Sequence, residues 1–404
     1  LAQDPLRIGF VSPFWPPGHG YPNGIVTAVA HQVDAVRRQG HRALVLSSNL
    51  GPHDGDAAAI GGPKLLTRDW FKAHFERHLE DQRSPRDTTA RRTAAAVAKA
   101  GGLDLLEMEE SFGTFGLVAQ RLDIPVAVRL HGPYFIGLDH RGRPPTRQEE
   151  ARVRAEREAF RGTSAASAPS QATLDAMIAH ADYRPAVTAR IPNPVAIPQR
   201  SVDWEGGAAK RLLFVGKMTR PKGADVVCDA LPEILKQNPG AEVTLAGPDD
   251  GFERPDGSRR TVAELLEERL PPEDLRRVHL PGKQTPEEID DLRRRHGVTI
   301  VASRYENFPY AAVEAMAAGS ALVASRWGGE AELVGDGETG ILVDPGDAGQ
   351  LVRAVTDLML DAGRQRRIGD AARAFVAREL DLDAVGRQLD AFYREVAAAH
   401  HSVR

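Results

Sequence analysis

Apolar positions fall along this chain in two alternating rhythms. Short apolar runs at Arg7–Ser12 and Arg42–Ser47 bracket a stretch with valines at 26, 29, 33 and 36 that Gly40 closes. Spacings of three and four put those valines on one helical face, while a short unbroken apolar run reads as a buried strand. Strand, helix, strand predicts a parallel sheet covered by helices on both faces. Further strands are predicted at 103–107 and 126–130, then at Arg211–Val215, Glu242–Ala246, 298–302 and 321–324. Residues 69–100 and 146–161 are charged and amphipathic, which predicts surface helices, and 383–396 predicts a terminal helix able to pack on either half.

The rhythm breaks once. Ile191-Pro192-Asn193-Pro194-Val195-Ala196-Ile197-Pro198 carries three prolines, and Gly206-Gly207 follows. Three prolines keep this stretch stiff and free of helix, so it reads as a linker. The expected organisation is two Rossmann-like α/β domains, 1–195 and 196–382, with the tail 383–404 folded back onto the first. A chain of 404 residues also exceeds what one hydrophobic core supports.

Composition narrows the function classes. Net charge is −4, which leaves no clustered positive field for nucleic acid. Basic runs such as Arg293-Arg294-Arg295 are read as solvated helix faces. One cysteine, Cys228, excludes an intramolecular disulfide and a cysteine metal cluster. No apolar run approaches a membrane span, and the first residues lack a signal peptide's basic and apolar regions, so a cytoplasmic location is expected. Asp54-Gly55-Asp56 and Asp381-Leu382-Asp383 imitate a metal-binding carboxylate pair, but neither follows a convincing strand; no metal site is expected. Glu109 and Glu110 follow the strand at 103–107 and are assigned to a solvated loop, the alternative being that they face the acceptor.

Chemistry concentrates in two places. In Ser303-Arg304-Tyr305-Glu306-Asn307-Phe308-Pro309-Tyr310, a strand ends and Pro309 is placed to open a helix that Gly319 closes. The free amides and positive dipole of such a helix start, at the carboxyl edge of a parallel sheet, suit a diphosphate. Glu306 precedes this helix and Glu314 lies within it. In Gly216-Lys217-Met218-Thr219-Arg220-Pro221-Lys222-Gly223, two lysines leave the end of a strand, and together they can neutralise a pyrophosphate leaving group without a metal ion.

These motifs, with Gly328-Gly329-Glu330-Ala331-Glu332-Leu333-Val334-Gly335-Asp336-Gly337 and Gly340-Ile341-Leu342-Val343-Asp344-Pro345, resemble the retaining glycosyltransferases of family four, which have the GT-B fold. The likeness covers most of 211–345 in order. It is thinner in the first half, where the Gly-rich loop, His131-Gly132 and Ile191-Pro192-Asn193 are shared.

The resemblance implies two Rossmann-like domains facing across a cleft, the first for the acceptor and the second for a nucleotide sugar, with UDP-sugar the preferred class. It implies that Lys217 and Lys222 contact the donor diphosphate, with Lys217 standing where the family commonly has Arg and so lacking a bidentate fork. Glu314 is implied to bind ribose hydroxyls and Glu306 the donor sugar. The backbone of Asn307, Phe308 and Tyr310 lines the donor, Pro309 replacing a frequent Gly and removing one amide. Gly282 and Lys283 match the loop touching the base, Gly24 the second glycine of a pair near the phosphate, with Asn23 standing in place of the first, and His131 the histidine beside the reacting sugar. Retention by same-face attack is implied, without a carboxylate nucleophile or cofactor. A phosphorylase or sugar-nucleotide epimerase on the same fold, and a sugar-nucleotide-binding protein without catalysis, stay open. A dehydrogenase is disfavoured, since no Gly-x-Gly-x-x-Gly follows either first strand. The acceptor class stays open among a small molecule, a glycan and a lipid.

Overall fold

The computed structural model describes residues 4–17, 24–53, 55–60, 83–138, 144–198, 201–204, 206–253 and 258–403. The chain forms two compact units, one of Leu1–Pro194 with Leu382–Arg404, the other of Val195–Asp381.

In the first unit, β1 (Arg7–Ser12), β2 (Arg42–Ser47), β3 (Ala57–Ala59), β4 (Leu105–Glu109), β5 (Val126–Arg129), β6 (Ala165–Ala168) and β7 (Val187–Arg190) form one sheet in the order β3-β2-β1-β4-β5-β6-β7. Every pairing in it is parallel. The valine stripe of the helix Gly24–Arg38 buries Val26, Val29, Val33 and Val36.

The terminal helix Leu382–Val403 belongs to this unit. Its stripe Val385, Leu389, Phe392 and Val396 joins the core made by Ile8, Phe10, Val29 and Val33. Gly386 lets it approach closely, since a Cβ there would sit 2.9 Å from the Ala35 carbonyl oxygen. Tyr393 donates its hydroxyl to the buried Glu107 at 2.6 Å, and Gln32 donates to the other oxygen at 2.9 Å.

In the second unit, β8 (Arg211–Val215), β9 (Glu242–Ala246), β12 (Val278–Gly282), β13 (Val298–Val301), β14 (Ala321–Ser325) and β15 (Ile341–Val343) form a six-stranded parallel sheet in the order β12-β9-β8-β13-β14-β15. A small antiparallel pair, β10 (Phe252–Glu253) with β11 (Arg259–Arg260), lies outside it. In both sheets the order reverses beside the first strand: β1 separates β2 from β4, and β8 separates β9 from β13. Such a switch point is where an open α/β sheet binds ligands, because loops leaving the two central strands diverge there.

Several sequence expectations shift. The strand expected at 103–107 runs two residues later. The helix expected at 69–100 is described from Arg83, its first part lying outside the described residues, as does Asn23. The helix Arg147–Arg161 is no simple surface element, because it buries Glu149, Ala155, Glu156 and Phe160. The proline stretch is packed rather than a bare linker: Ile191, Pro192, Asn193, Pro194 and Val195 are all buried. Asn193 accepts from the fully buried Arg129 at 2.8 Å, which satisfies a charge that β5 carries into the core.

Candidate active site

Around the switch point of the second sheet the loops are tied together backbone to backbone. The β8 loop ends in a 3₁₀ turn, Arg220–Lys222, stopped by Gly223 at φ +72°. A Cβ on Gly223 would lie 1.9 Å from the Ala302 carbonyl oxygen, at the end of β13. The Arg304 amide donates to the Pro221 carbonyl at 2.8 Å. The Arg304 guanidinium forks onto Asp225 at 2.7 and 2.8 Å. This planar bidentate geometry fixes orientation as well as distance. Asp225 lies in the first turn of the helix Ala224–Gln237, where a negative charge complements the helix dipole.

Held this way, Lys222 and Glu306 form an ion pair, with Ser303 donating to the same Glu306 oxygen at 3.1 Å. Lys222 is 40% exposed and Glu306 18%, so the pair is reachable from solvent. Lys217 is exposed, one residue beyond Gly216.

The β14 loop closes on the same segment from the other side. The Gly329 amide donates to the Glu306 carbonyl at 3.0 Å. A Cβ on Gly328 would meet that carbonyl oxygen at 2.5 Å, and one on Gly329 would meet the Asn307 carbonyl at 2.3 Å. The glycine pair of the motif is therefore a steric requirement of this contact.

Glu330, next in the chain, is fully buried, and neither carboxylate oxygen has a hydrogen-bond partner among the described residues. Burial, and then the nearby Glu306 charge, push its carboxyl well above the ordinary range, which favours the protonated form. In the sequence Glu330 is one position of a motif; its burial near Glu306 is a tertiary fact.

The helix after Glu306 starts one residue later than expected. It spans Tyr310–Ala318, and Pro309 flanks it with φ −83° and ψ 80°. That conformation makes an inverse γ-turn in which the Tyr310 amide donates to the Phe308 carbonyl at 3.0 Å. The Tyr310 amide, expected to line the donor, is thus engaged locally. Phe308 is a core side chain packed edge-on to Tyr310, and Asn307 is buried. Gly319 ends the helix at φ +83°, as expected. Glu314, on the fifth residue of the helix, is ion-paired to Arg293 of the helix Pro286–Arg295.

Gly282 ends β12 at φ +71°, with its carbonyl accepting from the Gly247 amide at 2.9 Å, and Lys283 beside it is exposed. Lys217, Lys222, Gly282, Lys283 and Glu306 thus all lie at or follow the carboxyl ends of β8, β12 and β13 in this one sheet.

In the first unit, Gly24 starts the helix that follows β1, and His131 follows β5. Glu110, assigned to a solvated loop, is instead buried. Its carboxylate accepts the His131 amide at 2.8 Å and the Gly132 amide at 2.6 Å. Burial, then the neighbouring Glu109 charge, push the Glu110 carboxyl up to about 8. Burial, then Arg129, push the His131 imidazole down to about 3, so it is neutral at ordinary pH.

Buried Glu156 accepts from the Phe112 amide at 3.0 Å, the Tyr134 amide at 2.9 Å and Arg152 at 2.7 Å. Arg152 lies 4.0 Å from both the Phe112 and the Tyr134 ring centres. The segment after His131 is thereby anchored at several points. Two adjacent glutamates gave no sequence signal for this, since alternation along β4 cannot say which one turns inward.

Among the described residues no group of three or more His, Cys, Asp or Glu side chains is arranged to hold a metal ion, and no helix is long and apolar enough to cross a membrane. Asp54 lies outside the described residues. Cys228 is buried, with its thiol pushed up to about 12 by burial, which removes it as a nucleophile.

Comparison with known proteins agrees with this geometry. Residues 22–197 match the family described as Glycosyltransferase Family 4, and residues 204–375 match Glycosyl transferases group 1. A D-inositol 3-phosphate glycosyltransferase of Corynebacterium efficiens is 24% identical, across 98% of this chain and 96% of its own. Sucrose-phosphate synthase from Thermosynechococcus elongatus shares the fold with a TM-score of 0.73 at 22% identity, over 98% of this chain and 100% of that one. HepE of Anabaena, solved with UDP and glucose, gives 0.69 at 19% identity, over 96% and 98%. With two parallel Rossmann-like units and the Glu306–Glu314 motif at the switch point of the second, the chain belongs to the family four glycosyltransferases of the GT-B fold.

Proposed function

We propose that this enzyme transfers a sugar from a nucleoside diphosphate sugar, a UDP-sugar in first preference, to an acceptor nucleophile with retention of anomeric configuration and without a metal ion. The observation that carries the reading is the Lys222–Glu306 pair at the switch point of the second sheet. A cation and a carboxylate held side by side match the two ends of the bond to be broken. Lys222, with the exposed Lys217, meets the diphosphate. Glu306 accepts from the donor sugar's hydroxyls once Lys222 turns to phosphate.

As the glycosidic C–O bond breaks, its electron pair stays with the diphosphate, and the two ammonium groups offset the growing charge. The acceptor oxygen forms the new bond on the face the diphosphate leaves. Its proton passes to the departing phosphate oxygen, so no carboxylate nucleophile takes part. Neutral His131, its backbone held by Glu110, matches the histidine that the family resemblance assigns to the reacting sugar. The UDP held by HepE supports the preferred base.

Thermal-shift titration against UDP-, GDP-, ADP- and TDP-sugars is the first test, followed by transfer assays with the donor that binds, in EDTA. Stabilisation by a UDP-sugar, EDTA-resistant transfer and an α-linked product from an α-linked donor are expected. A product of inverted configuration by early-time NMR overturns the same-face reading, and EDTA inactivation restored by Mn²⁺ overturns metal independence. Turnover with inorganic phosphate, or with donor alone, would instead identify a phosphorylase or an epimerase.

A further inference from the structure

The helix Pro286–Arg295 is polar almost throughout, and its one buried residue is an arginine. Arg293 is 7% exposed, an unusual place for a permanent charge. Its two terminal nitrogens go to different carboxylates: Nη1 to Asp290 of its own helix at 3.2 Å, and Nη2 to Oε2 of Glu314. Asp290 is largely exposed, whereas Glu314 is only 34% exposed, so Glu314 carries most of the compensation that a buried guanidinium requires. The other Glu314 oxygen, Oε1, has no hydrogen bond to any described residue, and the side chain still reaches solvent. One oxygen is tied and one is open.

We propose that Arg293 is a positioning residue for nucleotide recognition, holding Glu314 by Oε2 so that Oε1 is presented to the ribose hydroxyls of the donor. The inference rests on the reading of Glu314 as the ribose acceptor and adds the residue that orients it. A glutamate that is untethered and partly exposed samples several rotamers, and ordering it on binding costs affinity. A guanidinium already locked to one oxygen removes that cost and leaves a directional acceptor.

The test compares two ligands rather than two activities. UDP and its 2′,3′-dideoxy analogue, or the GDP or ADP pair if the titrations above select that base, are titrated calorimetrically into wild type, R293M, R293K and E314Q. Wild type is expected to prefer the ribonucleotide by about ten- to a hundredfold, the worth of a charge-assisted hydrogen bond. E314Q should lose most of that ratio, and R293M should reduce it to within about threefold. R293K should fall between, because one ammonium cannot hold both carboxylates in a single plane.

If E314Q keeps the full ratio, the ribose reading of Glu314 fails. If E314Q loses the ratio and R293M keeps it, only the role of Arg293 fails. Equal weakening of both ligands in R293M marks a merely structural arginine and also overturns the inference. Should R293M not fold, R293K is judged by the same ratio, and an unchanged value overturns the proposal.

Discussion

Gly223 and Ala302 meet backbone to backbone, leaving no room for a side chain between the β8 turn and the end of β13. The contact sets how far Lys222 stands from Glu306. A methyl group at 223 would need both a left-handed φ and a displaced β13 loop. Gly223→Ala is expected to cost about 2–4 kcal/mol, from strain plus overpacking, and to lower activity more than a substitution of equal cost elsewhere. Thermal melts and initial rates check this together. Wild-type rates in a folded G223A protein would show that the spacing is not critical.

Lys222→Ala should lower kcat more than donor affinity. Charge on the diphosphate grows toward the transition state, so the ammonium helps there more than in the ground state. A single charge-assisted hydrogen bond is worth about 1.5–3 kcal/mol, or roughly ten- to a hundredfold in rate. Steady-state kinetics with the assigned donor decide it. A raised KM with unchanged kcat would put Lys222 outside the leaving-group site.

The pH profile should report on Glu110 rather than on His131. With the imidazole held down at about 3, no histidine limb is expected near neutrality. The Glu110 carboxyl, raised to about 8, ionises just above neutral pH and then grips the His131 and Gly132 amides more strongly, since charged acceptors bind tighter. Activity should rise through that region and flatten in Glu110→Gln. Because Glu109 is also raised by burial, the two titrate as a pair, and Glu109→Gln should displace the limb without abolishing it. A limb that persists unchanged in Glu110→Gln contradicts the assignment.

Glu330 makes a stability prediction with a definite sign. Its folded carboxyl is raised above the ordinary value of 4.5. Below that value both folded and unfolded chains hold the proton, and nothing is lost. As pH climbs above it the unfolded chain releases the proton while the folded chain keeps it, so stability falls. Glu330→Gln removes this penalty with little change of shape. Its melting temperature should exceed wild type by a few degrees at pH 8, about 1 kcal/mol being worth roughly 2–4 °C, and converge with it near pH 4. A variant less stable than wild type at pH 8 would mean the carboxylate is charged and compensated in the fold.

Much of this architecture was legible in local pattern. β1, β2 and β8 lie where the apolar runs predict them, because a strand buried on both faces has no alternative use for four consecutive apolar residues. Gly319 ended its helix for a reason equally local, the positive φ of a C-cap. The helix starts at Tyr310 rather than at Pro309, since the proline's fixed φ suits an inverse γ-turn as well as a first helical turn.

What the sequence by itself determined is the order of elements and the presence of Lys222, Glu306 and Glu314 at strand ends and in a helix, because periodicity and chain punctuation act over a few residues. Only the tertiary structure decided that Glu110 turns inward to two amides, that Glu330 is buried near Glu306, and that Arg293 is buried against Glu314 rather than solvated with its arginine neighbours. A charged residue's surroundings depend on partners remote in the chain, 84 residues away for Lys222 and Glu306 and 21 for Arg293 and Glu314. Desolvation and compensation are settled by what the fold brings alongside, and no local pattern carries that.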